Sequence, residues 1–205
     1  AAKHAQRLRI PHPILSNDEL ASISALDFRG WRTATIDITY PANSGEEGLQ
    51  EALARINAEA SRAISDGYSL VVLSDRAMGT DRIAISALLA VGSVHHALVA
   101  KAERSQIGLV VETGEAREVH HHCLLIGYGA DAINPYLAFE ALWDAHDKGA
   151  FDGVADVKTP ADIERSYRKA VAKGMLKVMA KIGISTLQSY NCLLYTSPSP
   201  RDALT

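Results

Sequence analysis

The chain alternates between two hydrophobic patterns, one typical of short strands and one typical of amphipathic helices. Residues 33–39 (TATIDIT) are β-branched and alternate in polarity, which predicts a strand that ends at Pro41. Apolar residues then recur at steps of three and four, which predicts a helix. This helix begins at a Ser-x-x-Glu capping pattern, residues 44–47, and ends at Gly67. The same capping pattern at residues 16–19 predicts a short first helix.

The order of strand and then helix continues along the chain. Residues 69–75 (SLVVLSD) are apolar without alternation, as expected of a strand buried on both faces of a parallel sheet. Strands alternating with helices through short connections predict βα units. The predicted fold class is therefore α/β, a partial or degenerate (β/α)-barrel-like domain, and the pattern leaves open whether the sheet closes. The remaining predicted strands are residues 107–114 and 131–135, and the remaining helices are residues 83–101, 117–128 and 137–147.

The character of the sequence changes after GAFDG, residues 149–153. Thr159 followed by Pro160 predicts the start of a helix. Gly174 is predicted to end it, and a second helical stretch follows. Beyond Tyr190 the sequence resembles translated sequencing-adaptor material, so we expect the natural chain to be interrupted there. The predicted division is an α/β domain at 1–150, a helical segment at 151–190 and a non-native tail at 191–205.

Composition places the chain among soluble globular proteins. Of its 205 residues, 47% are hydrophobic and 22% are charged, with a formal net charge of −3. No run of Lys and Arg forms a basic patch, so we expect no nucleic-acid or acidic-membrane partner. No stretch approaches the roughly 18 apolar residues that a membrane-spanning helix needs. Cys123 and Cys192 lie in unrelated contexts, which suits a reducing compartment: the cytoplasm, or the plastid stroma in a photosynthetic eukaryote.

Three consecutive histidines, His120–His122, invite a metal-site interpretation. Each residue of a helix turns by about 100°, so the three rings point in different directions and one zinc ion cannot take them all. HExxH spacing is absent as well. We therefore expect no metal ligand here. Glu118, one turn earlier, is the expected partner of His122, and His95 is expected in a core or an interface.

The ends of the predicted strands carry more chemistry than the histidines. In parallel α/β folds, ligands collect where strands finish, because loops and helix N-termini converge there. The cluster predicts a polar pocket or passage for a small polar molecule. The alternative, which the sequence favours, is a network of helix caps and ion pairs that fixes the loops. The candidate residues are Asp75, Arg76, Glu112, Thr113, Glu115, Arg117 and Asn134.

No catalytic, cofactor-binding or metal-binding motif accompanies this cluster. The sequence has no P-loop, no GxGxxG, no CxxC pair and no GxSxG. The residues alone therefore predict an α/β domain with a possible polar site and assign no reaction.

Three longer segments carry a resemblance to a known family. They are VVLSDRAMGTDRIAISALLAVGSVHHAL, IGLVVETGEAREVHHHCLLIGYGADAINPYLAFEAL and KAVAKGMLKVMAKIGISTLQSY. In fixed order they resemble the large subunit of glutamate synthase. The similarity runs from about Leu8 to Tyr190 and corresponds to the central domain and the start of the region leading into the FMN-binding barrel.

The resemblance implies an enzyme that makes L-glutamate from glutamine-derived ammonia and 2-oxoglutarate. An amidotransferase domain with a cysteine nucleophile would release the ammonia, and a barrel with FMN and an iron–sulfur cluster would use it. Ferredoxin or an NAD(P)H-oxidising subunit would supply electrons. None of these cofactors is expected within residues 1–190. This piece is expected to serve as a scaffold and ammonia-channel element between the two catalytic domains of the same chain, and to be inactive alone.

The resemblance also gives the strand-end residues a role. We expect Arg76, Glu112, Glu115 and Arg117 to organise loops that face the flavin domain. Two alternatives remain: a freestanding α/β binding or regulatory domain without redox chemistry, and a histidine-dependent metalloenzyme on a barrel.

Overall fold

A computed structural model describes residues 8–154 and 159–191 of the chain. The predicted tail therefore lies outside the described residues, apart from Asn191. Within the described ranges, no helix is both long and apolar enough to cross a membrane. The helices are α1 (Asn17–Ser24), α2 (Gly45–Ser65), α3 (Ala87–Ala100), α4 (Val119–Gly127), α5 (Tyr136–Asp147), α6 (Pro160–Lys181) and α7 (Leu187–Asn191). The strands are β1 (Asp27–Phe28), β2 (Trp31–Asp37), β3 (Thr39–Pro41), β4 (Leu70–Ser74), β5 (Arg82–Ala84), β6 (Gly108–Glu112) and β7 (Ala132–Asn134).

The central sheet has the order β1-β2-β4-β6-β7. Its last four strands run parallel, and β1 pairs antiparallel with the outer edge of β2. At the opposite edge Ile14 forms a parallel bridge with Ile133. No closure of the sheet into a barrel is seen among the described residues. The α/β class and the partial-barrel expectation are confirmed.

The centre of the sheet is buried on both faces, which explains the lack of alternation in SLVVLSD. Val71 and Leu73 belong to the larger apolar cluster, together with residues of α2, α3, α4, α6 and α7. Leu70 and Val72 belong to a smaller cluster, which α1 covers with Leu20 and Ile23. All five residues of β4 are buried. Burying apolar side chains contributes about 1.5–3 kcal/mol each, so this double coverage makes the strands the rigid centre of the domain.

The helical segment after residue 159 packs onto the same core. Val171, Met175 and Met179 of α6 and Tyr190 of α7 are buried within the larger cluster. The division of the chain near residue 151 into two modules stays a prediction.

Gly174 does not end a helix, because α6 continues through it to Lys181. A Cβ at Gly174 would lie 2.3 Å from Cγ2 of Val119 on α4. The glycine lets two helices approach closely, and this packing replaces the predicted stop.

Two further sequence predictions are wrong in detail. The helix predicted from residue 83 begins only at Ala87, because Arg82–Ala84 forms strand β5, which pairs antiparallel with β3. The helix α2 is present, but the side chain of Ser44 does not cap it. The Ser44 hydroxyl donates instead to the carbonyl of Pro41, 2.6 Å away, within a 3₁₀ turn.

Candidate functional site at the carboxyl ends of the strands

Asp75 is the buried centre of the strand-end cluster. It follows β4, and its side chain is 2% exposed. One carboxylate oxygen accepts the Thr113 hydroxyl at 2.7 Å and the backbone N–H of Gly114 at 2.9 Å. Burial, and then the nearby Asp75 carboxylate, raise the pKa of the Tyr136 phenol. The two hydrogen bonds of Asp75 join the loop after β4 to the loop after β6.

Arg76 forms the outer, half-exposed layer of the cluster. Its Nε donates to Glu112 at 2.8 Å and its Nη1 donates to Glu140 at 2.9 Å. The guanidinium lies 3.8 Å from the centroid of the Tyr136 ring, the geometry of a cation–π contact. The second oxygen of Glu112 accepts the hydroxyl of Ser74 at 2.5 Å. Arg76 keeps 42% of its side chain exposed, so one side of this layer faces solvent.

Glu115 caps a neighbouring helix. Its carboxylate accepts the backbone N–H of Ala87 at 2.8 Å and the hydroxyl of Ser86 at 3.2 Å, both at the start of α3. A carboxylate at a helix N-terminus is favoured by the helix dipole and satisfies an otherwise unpaired donor. The backbone N–H of Glu115 donates to Thr113 at 3.0 Å, which joins this cap to the Asp75 network.

Two predicted site residues lie apart from this network. Asn134 is fully buried and donates to the Leu15 carbonyl and the Asn17 side chain, so it anchors the segment before α1. The sequence predicts Arg117 in the first turn of a helix. The structure places it before α4 instead, because α4 begins at Val119. Among the described residues, only backbone atoms of Arg117 make hydrogen bonds. The structure thus brings together five of the seven candidates, namely Asp75, Arg76, Glu112, Thr113 and Glu115.

Sequence reasoning missed Tyr136 and Glu140, which complete the layer around Arg76. A signal was present: the two residues are four apart at the start of the helix that follows β7, so they share one helical face at the strand ends. Ser74, the last residue of β4, was missed for a different reason. Its hydroxyl matters only through the register that sets it opposite Glu112.

His122 has a different partner from the one predicted. It is fully buried, and its Nε2 lies 2.9 Å from the hydroxyl of Tyr167 on α6, so Glu118 is not its side-chain partner. Burial, and then nearby His121 and His12, lower the pKa of His122 to about 4. Among the described residues, no group of three or more His, Cys, Asp and Glu side chains is arranged to hold a metal ion. His95 is buried in the core, as predicted.

Comparison with known proteins supplies the context that the geometry lacks. The model of the glutamate synthase central domain family matches residues 1–195. The chain belongs to this family. It is 44% identical to the glutamate synthase [NADH] of Schizosaccharomyces pombe over 90% of the chain and 9% of that protein. It is 38% identical to the glutamate synthase [NADPH] large chain of Bacillus subtilis over 92% of the chain and 12% of that protein.

A third relative is the ferredoxin-dependent glutamate synthase of Pyropia yezoensis, 34% identical over 91% of the chain and 12% of that protein. The chain spans about a tenth of the length of each of these relatives. The family resemblance drawn from the sequence is confirmed.

The described residues do not fit a cysteine-ligated iron–sulfur cluster. An iron–sulfur cluster needs several cysteines, and within the described ranges the free cysteine is Cys123, buried on α4. Burial raises the pKa of the Cys123 thiol, partly opposed by a hydrogen bond to Tyr190. We therefore derive no redox step from these residues.

Proposed function

We propose that this chain is the connecting central domain of a glutamate synthase, which makes L-glutamate from glutamine-derived ammonia and 2-oxoglutarate. The observation that carries the proposal is the strand-end network. Its buried carboxylate, Asp75, is bonded to Thr113 and Gly114 and holds loops together. Such a network suits a scaffold whose loops must keep a fixed shape, and it performs no chemistry of its own.

The physical task of the domain is positioning. Ammonia loses its nucleophilicity when it is protonated and is lost when it escapes into bulk water, so it must travel between active sites inside a wall. A sheet whose centre is buried on both faces offers a rigid wall, and the layer of Arg76, Glu112 and Glu140 offers a polar surface beside it. We propose that this surface faces the flavin domain of the same polypeptide.

The remaining parts of the reaction belong to other regions of the parent enzyme. FMN, the iron–sulfur cluster and the amidotransferase cysteine are placed there, and the electron donor is ferredoxin or an NAD(P)H-oxidising subunit. We place the enzyme in the cytoplasm or the plastid stroma. The division at residue 151 and the foreign origin of residues 191–205 belong to the same proposal.

A first experiment tests the assignment of chemistry. The purified 205-residue chain is expected to bind no FMN and to form no glutamate, measured by flavin absorbance and by amino-acid analysis. Stoichiometric flavin on this chain would overturn the connecting role. Sequencing the gene in both directions is expected to find an amidotransferase upstream and a flavin domain downstream. A gene without either would favour a freestanding binding or regulatory domain.

A second experiment tests coupling in the full-length enzyme. Glu112→Ala removes the acceptor of Arg76 and Ser74, so the loops should lose their register. We expect glutamine-dependent glutamate synthesis to fall more than glutaminase activity or ammonia-dependent synthesis. Glu51→Ala, an exposed substitution on α2, is the matched control and should change none of the three rates. Equal loss of all three activities in Glu112→Ala would contradict a coupling role.

A further inference from the structure

A residue of α6 reaches the loop that carries the strand-end cluster. Residues 113–118 connect β6 to α4 and include Thr113 and Glu115. The Tyr167 hydroxyl donates to the backbone carbonyl of Arg117 in this loop at 3.0 Å. The same hydroxyl oxygen lies 2.9 Å from Nε2 of His122. Tyr167 on α6 therefore holds this loop, although it is 50 residues away from Arg117 in the sequence.

The direction of these two bonds sets the protonation of His122. Because the Tyr167 proton points to the Arg117 carbonyl, the Tyr167 oxygen accepts from Nε2–H of the histidine. The neutral ring then carries its lone pair on Nδ1. That atom is buried and, among the described residues, has no hydrogen-bond partner. A second proton would have to enter there, in a position without an acceptor.

The surroundings of His122 also oppose a positive charge. His121 on α4 and His12 in the segment before α1 both disfavour it. On α6, Arg168 acts on His12 and is paired with Glu19 and Glu164.

The Tyr167 ring in turn lies against an aromatic ring. Phe139 of α5 packs edge-to-face against Tyr167, with centroids 5.5 Å apart. Within the described ranges, no carboxylate offsets the lowered pKa of His122. A charge on this ring would therefore be both buried and unpaired, the costly case.

We propose that Tyr167 and His122 are positioning residues that hold the loop of residues 113–118 only while His122 is neutral. Protonation of His122 expels the ring from its site, releases the Tyr167 hydroxyl and loosens the loop that presents Thr113 and Glu115. The device depends on contacts within this chain and holds whether or not the domain connects two active sites.

Hydrogen exchange of the purified chain tests this proposal. The probes are the amides of Gly114 and Glu115, whose N–H groups are bonded to Asp75 and Thr113. The Arg117 amide is avoided, because it donates to His121, which is itself titratable. Protection factors, corrected for intrinsic exchange, are measured between neutral pH and pH about 4.5, within the window set by the lowered pKa of His122.

Two variants separate the parts of the device. Tyr167→Phe removes only the hydroxyl, and we expect roughly five- to tenfold faster exchange of both amides at neutral pH with the fold intact. His122→Gln keeps an N–H donor for Tyr167 but cannot be protonated. In this variant the loop should keep its protection in acid, whereas the wild type loses it. His120→Gln, an exposed neighbour on α4, is the control and should follow the wild type.

Two results would overturn the proposal: unchanged exchange in Tyr167→Phe, or the wild-type loss of protection in His122→Gln. If His122→Gln does not fold, the titration of His122 in the wild type decides by NMR. Loop protection that falls progressively between pH 6.5 and the pH at which the folded-state His122 titrates supports the device, and protection that stays constant across that range contradicts it.

Discussion

The two ends of the parallel strands carry arginine-centred clusters that differ in one respect. At the carboxyl ends, Arg76 bonds Glu112 and Glu140 and keeps 42% of its side chain exposed. At the amino ends, Arg104 is only 17% exposed and bonds Asp131 at 3.0 Å and Nδ1 of His95 at 3.1 Å. Arg104 also donates to two backbone carbonyls, those of Ile107 and Gly129.

The difference shows that polar clustering alone does not identify a functional face. Arg104 donates to acceptors on three separate segments, at His95, Ile107 and Gly129. The cluster therefore stabilises the loops that lead into β6 and β7. Arg76 leaves one side open to solvent above Tyr136. Remaining exposure, together with position at the carboxyl ends, favours Arg76 as the residue that meets another part of the enzyme.

The largest expected effect on folding comes from the amino-end cluster. Arg104→Ala removes one donor from each of Asp131, His95 and two backbone carbonyls, and we expect the free energy of unfolding to fall by about 3 kcal/mol. Urea unfolding at neutral pH measures it. Arg117→Ala is the control, because the side chain of Arg117 makes no hydrogen bond or ion pair among the described residues, and its change should stay within about 0.5 kcal/mol. Similar losses in both variants would remove the structural role assigned to Arg104.

The next effect comes from the buried layer of the carboxyl-end cluster. Asp75→Ala leaves the Thr113 hydroxyl and the Gly114 N–H unpaired in a buried site, and we expect a loss of about 2 kcal/mol. Asp75→Asn keeps the shape of the side chain and one acceptor oxygen, so it should lower the free energy of unfolding by less. Both are measured by urea unfolding beside the wild type. An equal loss in the two variants would mean that charge, and not the two hydrogen bonds, stabilises the loops.

Part of this arrangement could be predicted from sequence because parallel strands bring their carboxyl ends to one edge. Asp75, Glu112 and Thr113 lie at the ends of apolar runs that clearly predict buried strands. The parallel pairing of β4 with β6 is then enough to predict that these residues lie close together. Glu140 was missed because its contact with Arg76 bridges 64 residues and depends on the angle at which α5 leaves the sheet. Side-chain direction of that kind is set by tertiary packing.

The wrong local predictions share a physical cause. The low helix propensity of glycine predicts a stop at Gly174, but close contact with Val119 makes a glycine necessary within α6. The apolar pattern predicts a helix at Ile83, whereas pairing with Tyr40 makes it a strand residue. The Arg104 cluster was missed altogether, because it assembles from loops whose paths no periodic pattern describes.

The third effect is confined to acid and again concerns the amino-end cluster. Arg104 donates to Nδ1 of His95, so that nitrogen must be unprotonated. Burial, then Arg104 and His96, lower the pKa of His95 to about 4. Since the unfolded state binds the proton more tightly, this contribution to stability is complete above pH 6.5 and is lost as the pH falls towards 4.

Gln in place of His95 tests this assignment by offering Arg104 an acceptor that does not titrate. Urea midpoints of His95→Gln and the wild type are compared at neutral pH and near pH 5. Between neutral pH and about pH 5, we expect the urea midpoint of the wild type to fall further than that of His95→Gln. Parallel pH profiles would show that His95 does not contribute to acid sensitivity.

The smallest effect on folding is expected at Arg76, the residue that we propose faces the flavin domain. Arg76→Ala removes two ion pairs and a cation–π contact, yet solvent screens a half-exposed guanidinium, so the loss should not exceed about 1 kcal/mol and should shrink further in high salt. Arg76→Lys keeps the charge but loses the planar fork, so it separates simple attraction from the geometry of the two bonds. In the full-length enzyme, Arg76→Ala should nevertheless weaken coupling, because its exposed side would lie against the neighbouring domain. The contrary result would be a loss of unfolding free energy that is independent of salt and as large as that of Arg104→Ala. Both clusters would then serve only to stabilise loops, and side-chain exposure would not identify the face that meets a partner.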